Sequence, residues 1–182
     1  YGYSIDQMAI AGGSAGHTLA MIYAYRDAKT SPVPIQLLFG AIGPSSFYKE
    51  DWNIYGFDQN TDEARQGAAG LFSVMSGTQI TSEMIQDQTY LEKVKPISAL
   101  MWINEETVPS VVAYGKYDKV QPFKGSQRLL KAYQDHHVDY QYFVAEHSGH
   151  GLQNDNKIYY QYMQTVEAYL DKYIPVEESV NK

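Results

Sequence analysis

The sequence predicts an α/β fold, with a mostly parallel sheet flanked by helices. Short apolar runs of the kind that form buried parallel strands alternate with segments of helical periodicity. The first of these runs turns into a helix through a glycine-rich stretch. Residues 45–107 carry no convincing strand signal and separate the second predicted strand from the third. We therefore expect a sheet interrupted by a helical insertion.

Four strands are predicted from short apolar or aromatic runs that end in glycines or turn residues. They cover residues 8–11, 35–39, 110–114 and 140–144. Because strands that alternate with helices pair in parallel, these runs should form one sheet with helices on its faces.

The predicted helices follow the strands in the order expected for such a fold. In the sheet portion they cover about residues 15–28, 123–133 and 157–173. In the insertion, one helix carries Ala64, Ala68, Leu71, Phe72 and Met75 at helical spacing, and a second short helix starts near Thr81. We divide the chain into residues 1–44 and 108–182, which form the core, and residues 45–107, which form a helical cap. Trp52, Phe72 and Trp102 are candidates to line a pocket beneath that cap.

Composition narrows the function classes. The 182 residues contain no cysteine, which excludes disulfides and thiolate chemistry, and we predict no metal and no cofactor. The net charge of −7 argues against nucleic acid as a partner. No apolar stretch approaches the roughly 20 residues of a membrane span. No signal peptide is visible, which slightly favours the cytoplasm, although an upstream signal could be missing.

Residues 12–16, Gly12-Gly13-Ser14-Ala15-Gly16, match the pattern G-x-S-x-G. The pentapeptide alone is weak evidence, but here it lies where a predicted strand turns into a predicted helix, as a nucleophile elbow requires. We expect Gly12 and Gly16 to be glycines because side chains there would collide with neighbouring backbone. Ser14 would then project from the carboxyl edge of the sheet, beside the N-terminus of the helix. A phosphate-binding loop is the alternative, but neither a P-loop nor a dinucleotide-binding pattern is matched.

A nucleophilic serine needs a base, and the base needs an orienting carboxylate. Asp118 follows the strand at 110–114 and would lie at the carboxyl edge, where catalytic groups of open α/β sheets gather. The alternative role for Asp118 is a turn or a helix cap. Asp135 and Asp139 precede a strand and belong to the opposite edge.

Five histidines compete for the role of base. His136 and His137 precede a strand, whereas His147 and His150 follow one, at the catalytic edge. Flanking glycines at 149 and 151 favour His150 over His147. His17 is a candidate pocket residue, with local packing as its alternative. A metal site built from the 147/150 pair lacks a carboxylate cluster to support it.

These motifs resemble the α/β-hydrolase superfamily, and within it the acetyl-esterase and carboxylesterase/lipase-like branch. Residues 10–17 are similar to the elbow of that branch, residues 112–122 to its acid-bearing segment, and residues 149–151 to its histidine loop. The resemblance extends from Gln7 to the last helix and is loose in the insertion. It implies a triad of Ser14, Asp118 and His150, with the Ala15 N–H as an oxyanion donor and Gly12, Gly13 and Gly16 as elbow glycines.

Two departures from this branch stand out. His17 replaces a glycine found in many relatives, and no His-Gly-Gly type loop, which supplies the second oxyanion donor, lies upstream of the elbow. The first strands of the usual sheet are missing with it. We therefore expect that a segment is missing before Tyr1 or that the chain associates with itself, and that these residues alone are poorly active.

The resemblance implies hydrolysis of small carboxylic esters, such as acetyl esters, through an acyl-enzyme. Two alternatives stay open from the sequence. One is a serine peptidase of the prolyl-oligopeptidase kind, and the other, from a different class, is a non-catalytic or inactive hydrolase-like fragment.

Overall fold

The computed structural model describes residues 4–176, and its centre is a parallel sheet. Within those residues the four strands lie in the order β1-β2-β3-β4, every neighbouring pair parallel. They are β1 (Met8–Gly13), β2 (Ile35–Ala41), β3 (Ser110–Gly115) and β4 (Tyr140–Ala145). The predicted α/β fold with a parallel sheet is confirmed, and each strand extends only one or two residues past its predicted end.

The predicted helices are present in the predicted order, together with one short helix at residues 90–94 that was not predicted. They are α1 (Ala15–Tyr25), α2 (Asp62–Ser76), α3 (Ser82–Gln86), α4 (Tyr90–Val94), α5 (Phe123–Asp135) and α6 (Asn156–Tyr173). Helix α1 ends at Tyr25, earlier than the predicted residue 28, and a separate 3₁₀ turn covers Ala28–Thr30. The turn includes the Thr30 N–H and hydroxyl, which both donate to the Asp27 carbonyl.

Helices cover both faces of the sheet. On one face α1 and α5 pack against Leu38, Val112 and Tyr114, with Met21 and Leu129 fully buried between the layers. On the other face α6 packs on β2, β3 and β4. It buries apolar side chains whose positions along the strands alternate with those that face α1 and α5. Each strand is therefore apolar on both faces, as a parallel sheet between helices requires.

Residues 45–107 are all described, and none of them lies in a strand. Helices α2 and α3 are preceded by Thr61 and Thr81, whose hydroxyl groups accept the amide hydrogens of Ala64 and Met84. This is standard N-capping, and Gly77 ends α2 in the left-handed conformation. The segment has its own apolar cluster, made of Phe47, Trp52, Phe57, Ala68, Ala69, Phe72, Ile80, Ile85, Tyr90 and Val94. Its treatment as a separate cap remains a prediction.

The sheet order places β1 at an edge of the described sheet. Met8, Ala9 and Ile10 are only partly buried and Ala11 is exposed, although an apolar strand of this kind is typical of a sheet interior. Within residues 4–176, no helix combines the length and apolarity needed to cross a bilayer.

Candidate active site

Ser14 occupies a strained turn between β1 and α1. Its φ of 52° and ψ of −124° lie outside the regions favoured by residues with a side chain, and such strain concentrates at functional sites. The turn is held from both sides. The Ser14 N–H donates to the Ala41 carbonyl at 3.0 Å, and the Ser14 carbonyl accepts the Thr18 N–H at 3.1 Å. The side chain is thereby directed to the carboxyl edge of the sheet.

The two outer glycines of the motif have different reasons to be there. A Cβ at Gly12 would lie 2.2 Å from the carbonyl carbon and oxygen of Gly16, so strand and helix can approach this closely only with glycine at 12. A Cβ at Gly16 would meet nothing within 4 Å, and the same holds for Gly13. The expectation that crowding also requires glycine at 16 is wrong, because that position opens into free space.

The structure brings Ser14, His150 and Asp118 together in one hydrogen-bonded chain. Ser14 Oγ lies 2.8 Å from His150 Nε2, and His150 Nδ1 lies 2.8 Å from Asp118 Oδ2. The three residues follow the carboxyl ends of β1, β4 and β3. An ionised carboxylate only accepts hydrogen bonds, so Nδ1 carries the proton and Nε2 is left to accept the serine hydroxyl hydrogen.

Asp118 makes a turn and orients His150 at the same time. Its Oδ1 accepts the amide hydrogens of Val120 at 2.7 Å and Gln121 at 3.0 Å, while Oδ2 faces His150. The Asp118 side chain is fully buried, whereas that of His150 is 28 % exposed. The turn-forming role considered from the sequence is thus present together with the contact to the imidazole.

Ala15 is the first residue of α1 and lies beside the cavity at Ser14. The amide of a first helical residue has no acceptor within its own helix, and it points along the positive end of the helix dipole. The backbone thus offers a donor next to the serine, and its role as an oxyanion donor stays a prediction.

His17 does not line the cavity, so its assignment as a pocket residue is wrong. The ring is fully buried behind the elbow, where its Nδ1 accepts the Gly43 N–H at 3.1 Å. Glycine at 40 leaves room for the ring, since a Cβ there would lie 2.4 Å from the imidazole, and a Cβ at Gly43 would lie 2.8 Å from the His17 Cβ and 2.7 Å from the Thr18 nitrogen. Burial lowers the pKa of His17 to about 3, opposed in part by the nearby Ala41 carbonyl.

The remaining histidines lie apart from Ser14. His147 Nδ1 is 3.0 Å from Asp155 Oδ1, with the His147 side chain 79 % exposed. His136 and His137 follow α5 and precede β4, at the amino edge of the sheet. Within residues 4–176 no group of three or more histidine and carboxylate side chains is arranged to hold a metal ion.

A cavity of about 460 Å³ opens beside Ser14 and His150. It is large enough for a small-molecule ligand. None of its lining residues is charged. Its walls come from α1, from residues 44–97, from the loop after Asp118 and from His150. The principal apolar lining residues are Leu19, Ile22, Pro44, Phe47, Trp52, Tyr55, Leu71, Met75, Ile97 and Val120.

Of the three aromatic residues expected to line a pocket, only Trp52 does so. Phe72 lies inside the apolar cluster of residues 45–107. Trp102 borders a separate cleft near Lys29, and its indole N–H donates to the Lys95 carbonyl.

Sequence reasoning missed the part of α1 that faces the cavity. Ala15, Thr18, Leu19 and Ile22 line it, at positions i, i+3, i+4 and i+7 from the start of the helix. This spacing defines one helix face and was visible in the sequence. Leu19 is 67 % exposed, so the apolar residues used to predict the helix were not all packing residues.

Comparison with solved structures shows the fold. A thermophilic esterase from the planctomycete Thermogutta terrifontis is 16 % identical with a TM-score of 0.64 and covers 95 % of this chain. An acetyl ester-xyloside bifunctional hydrolase from Caldicellulosiruptor lactoaceticus is 16 % identical over 91 % of this chain, with a TM-score of 0.57. An acylaminoacyl peptidase from Pyrococcus horikoshii is 12 % identical over 98 % of this chain, with a TM-score of 0.63.

The chain therefore has the α/β-hydrolase fold, and the predicted resemblance is confirmed at this level. It spans 57 % of the Thermogutta esterase, 56 % of the Caldicellulosiruptor hydrolase and 26 % of the Pyrococcus peptidase. No protein-family profile matches the sequence, and no curated protein is significantly similar to it.

Proposed function

We propose that this chain carries the catalytic site of a serine hydrolase that cleaves carboxylic esters. One observation supports this above all. The Ser14 hydroxyl, the His150 imidazole and the Asp118 carboxylate form a continuous chain with 2.8 Å at both contacts, beside an uncharged cavity. A nucleophile, a base and an orienting acid in this geometry are the parts required for acyl transfer.

In this mechanism Ser14 Oγ attacks the ester carbonyl while His150 Nε2 takes the hydroxyl proton. Asp118 keeps the imidazole in the required tautomer and stabilises the imidazolium that forms. The negative charge that develops on the carbonyl oxygen faces the Ala15 N–H and the N-terminus of α1. His150 then returns the proton to the departing alcohol. Water, activated by the same imidazole, releases the acid and regenerates Ser14.

The cavity supports a neutral, apolar acyl or alcohol group. Its lining includes aliphatic and aromatic side chains and no charged group that would pair with a free amine or carboxylate. A charged substituent would lose its hydration there without gaining a partner, which is costly. We therefore place neutral esters, including small acyl esters, ahead of substrates recognised through a charged terminus.

A peptidase is the second candidate, because the fold is shared with the acylaminoacyl peptidase of Pyrococcus at a TM-score of 0.63. The test compares p-nitrophenyl esters of increasing acyl length with N-acyl and free-amine aminoacyl p-nitroanilides. We expect turnover of neutral esters that Ser14→Ala abolishes and that Ser31→Ala, at the opposite edge of the sheet, preserves. Faster cleavage of the free-amine anilides would favour the peptidase, and turnover unaffected by Ser14→Ala would contradict both.

A further inference from the structure

The loop that carries His150 is anchored at its far end. This histidine loop, residues 146–155, connects β4 to α6. At its end the Asp155 side chain, 8 % exposed, accepts three hydrogen bonds from the beginning of the loop. The donors are the His147 N–H at 2.9 Å, His147 Nδ1 at 3.0 Å and the Ser148 hydroxyl at 2.5 Å.

The Asp155 side chain does not cap the helix that it precedes. An aspartate directly before a helix normally accepts an amide hydrogen from the first turn. In α6 no such bond is formed, because the Asp155 carboxylate turns back toward the histidine loop. The hydrogen bond from Ser148 is the main cause that lowers the pKa of Asp155, so the carboxylate is ionised and accepts strongly at neutral pH. Its role therefore lies in the loop.

Ser148 connects Asp155 to the loop that carries His150 and to the loop that carries Asp118. The residue is fully buried, and its hydroxyl oxygen also accepts the Asn154 N–H at 2.9 Å. Its carbonyl accepts the N–H of Tyr117, the residue before Asp118, at 3.0 Å. The backbones of the two loops touch at this point, since a Cβ at Gly115 would lie 2.1 Å from the Gly149 carbonyl oxygen. Ser148 thus lies where the loop that carries Asp118 meets the loop that carries His150.

We propose that Asp155 is a positioning residue that, through Ser148, holds His150 in line between Ser14 and Asp118. This inference rests on the proposed function, since it assigns Asp155 a role in the same reaction without contact to the substrate. His150 lies only two residues beyond Ser148, and a strained residue, Leu152 with φ of 53°, follows it. Misplacing a catalytic group by about 1 Å can cost about 10²-fold in rate.

The test uses Asp155→Ala and Asp155→Asn in the full chain, with Asp139→Asn as the matched control. Asp139, directly before β4, is also a multiply bonded carboxylate, accepting from Tyr169, Lys172 and Tyr173 of α6, but it lies at the opposite edge of the sheet. Three quantities are measured for each variant. They are the rate of Ser14 labelling by a fluorophosphonate, kcat and KM for a p-nitrophenyl ester, and the thermal unfolding midpoint.

We expect Asp155→Ala to lower kcat and the labelling rate by about 10- to 100-fold with KM little changed. Asp155→Asn, which keeps one acceptor oxygen, should lie between Asp155→Ala and the wild type. Adding Ser148→Ala to Asp155→Ala should slow the labelling little further, because Asp155 is proposed to act on His150 through Ser148. Asp139→Asn should change the unfolding midpoint only. If Asp155→Ala does not fold, Ser148→Ala alone carries the same expectation of a lower labelling rate.

Asp155 variants that label at the wild-type rate, or that lose rate only in proportion to unfolded protein, would overturn the inference. Failure of the proposed function is recognised separately, because the wild type would then not label at Ser14. In that case the low-field proton resonance of His150 Nδ1, identified by its loss in His150→Ala, reports the geometry directly. Its persistence unchanged in Asp155→Ala would refute the positioning role, and its loss would support it.

Discussion

The close approach of β1 and α1 at Gly12 gives the sharpest mutational test of the elbow. In Gly12→Ala the new methyl carbon would lie 2.2 Å from two backbone atoms of Gly16 and 2.5 Å from the His17 nitrogen. Carbon contacts normally begin at about 3.5 Å, so the overlap exceeds 1 Å, and backbone cannot rotate away as a side chain can. Overpacking of a core costs about 1–3 kcal/mol and sometimes more, and we expect the upper end here.

The matched control is Gly16→Ala, in the same motif and on the other side of Ser14. Its methyl carbon would meet nothing within 4 Å. Because alanine is up to about 1 kcal/mol better than glycine in a helix, this variant should be neutral or slightly stabilised. The two variants add the same atom to the same motif, so any difference between them comes from the local geometry.

The assay is urea unfolding together with the rate of fluorophosphonate labelling. Gly12→Ala should lose about 3 kcal/mol or more of unfolding free energy. Its labelling should slow by about 10²-fold if Ser14 shifts by 1 Å. Gly16→Ala should keep the wild-type unfolding free energy and labelling rate. Equal damage in the two variants, or a harmless Gly12→Ala, would refute the elbow geometry described here.

Three further predictions concern stability and association. Burial lowers the pKa of His17 to about 3. As the pH falls, this imidazole is therefore protonated in the unfolded chain before it is protonated in the folded one. Unfolding free energy should therefore fall by about 2 kcal/mol from pH 7.5 to 5, whereas a flat profile in urea titrations would exclude a neutral buried histidine. Arg128→Met removes the charged partner of the buried Asp51 carboxylate, which then keeps only the Ser46 hydroxyl, and should cost about 2 kcal/mol by the same unfolding assay; a change below about 0.5 kcal/mol would contradict it. The partly buried apolar strand β1 at the sheet edge should pair with another copy, so light scattering should report a dimer, and a monodisperse monomer would contradict this.

Local patterns in the sequence were sufficient to predict the main elements of the sheet and its helices. The strand and helix signals depend on periodicity over a few residues, which the sequence shows directly. Chain order predicted the edge of the sheet at which the candidate catalytic residues meet, since groups after parallel strands meet at one edge, and the glycines at 149 and 151 favoured His150 over His147. This is why Ser14, Asp118 and His150 could be named before their distances were known.

The errors arose where the outcome depends on what another segment brings into contact. His17 is buried because Gly40, in a different strand, leaves room for its ring, and nothing near residue 17 indicates this. Gly16 was expected to be crowded, but the crowding at the elbow falls on Gly12 alone. The sequence did not single out Asp155, because its hydrogen-bond partners depend on how the histidine loop folds back.

Labelling with a fluorophosphonate, followed by mass mapping of the modified peptide, tests most directly whether Ser14 is a nucleophile activated by His150 and Asp118. We expect one adduct per chain, located on Ser14, that disappears in Ser14→Ala and forms far more slowly in His150→Ala. His147→Ala should label normally, because His147 contacts Asp155 and not Ser14. A wild-type chain that forms no adduct, or an adduct on another residue that survives in Ser14→Ala, would show that Ser14 is not the activated nucleophile.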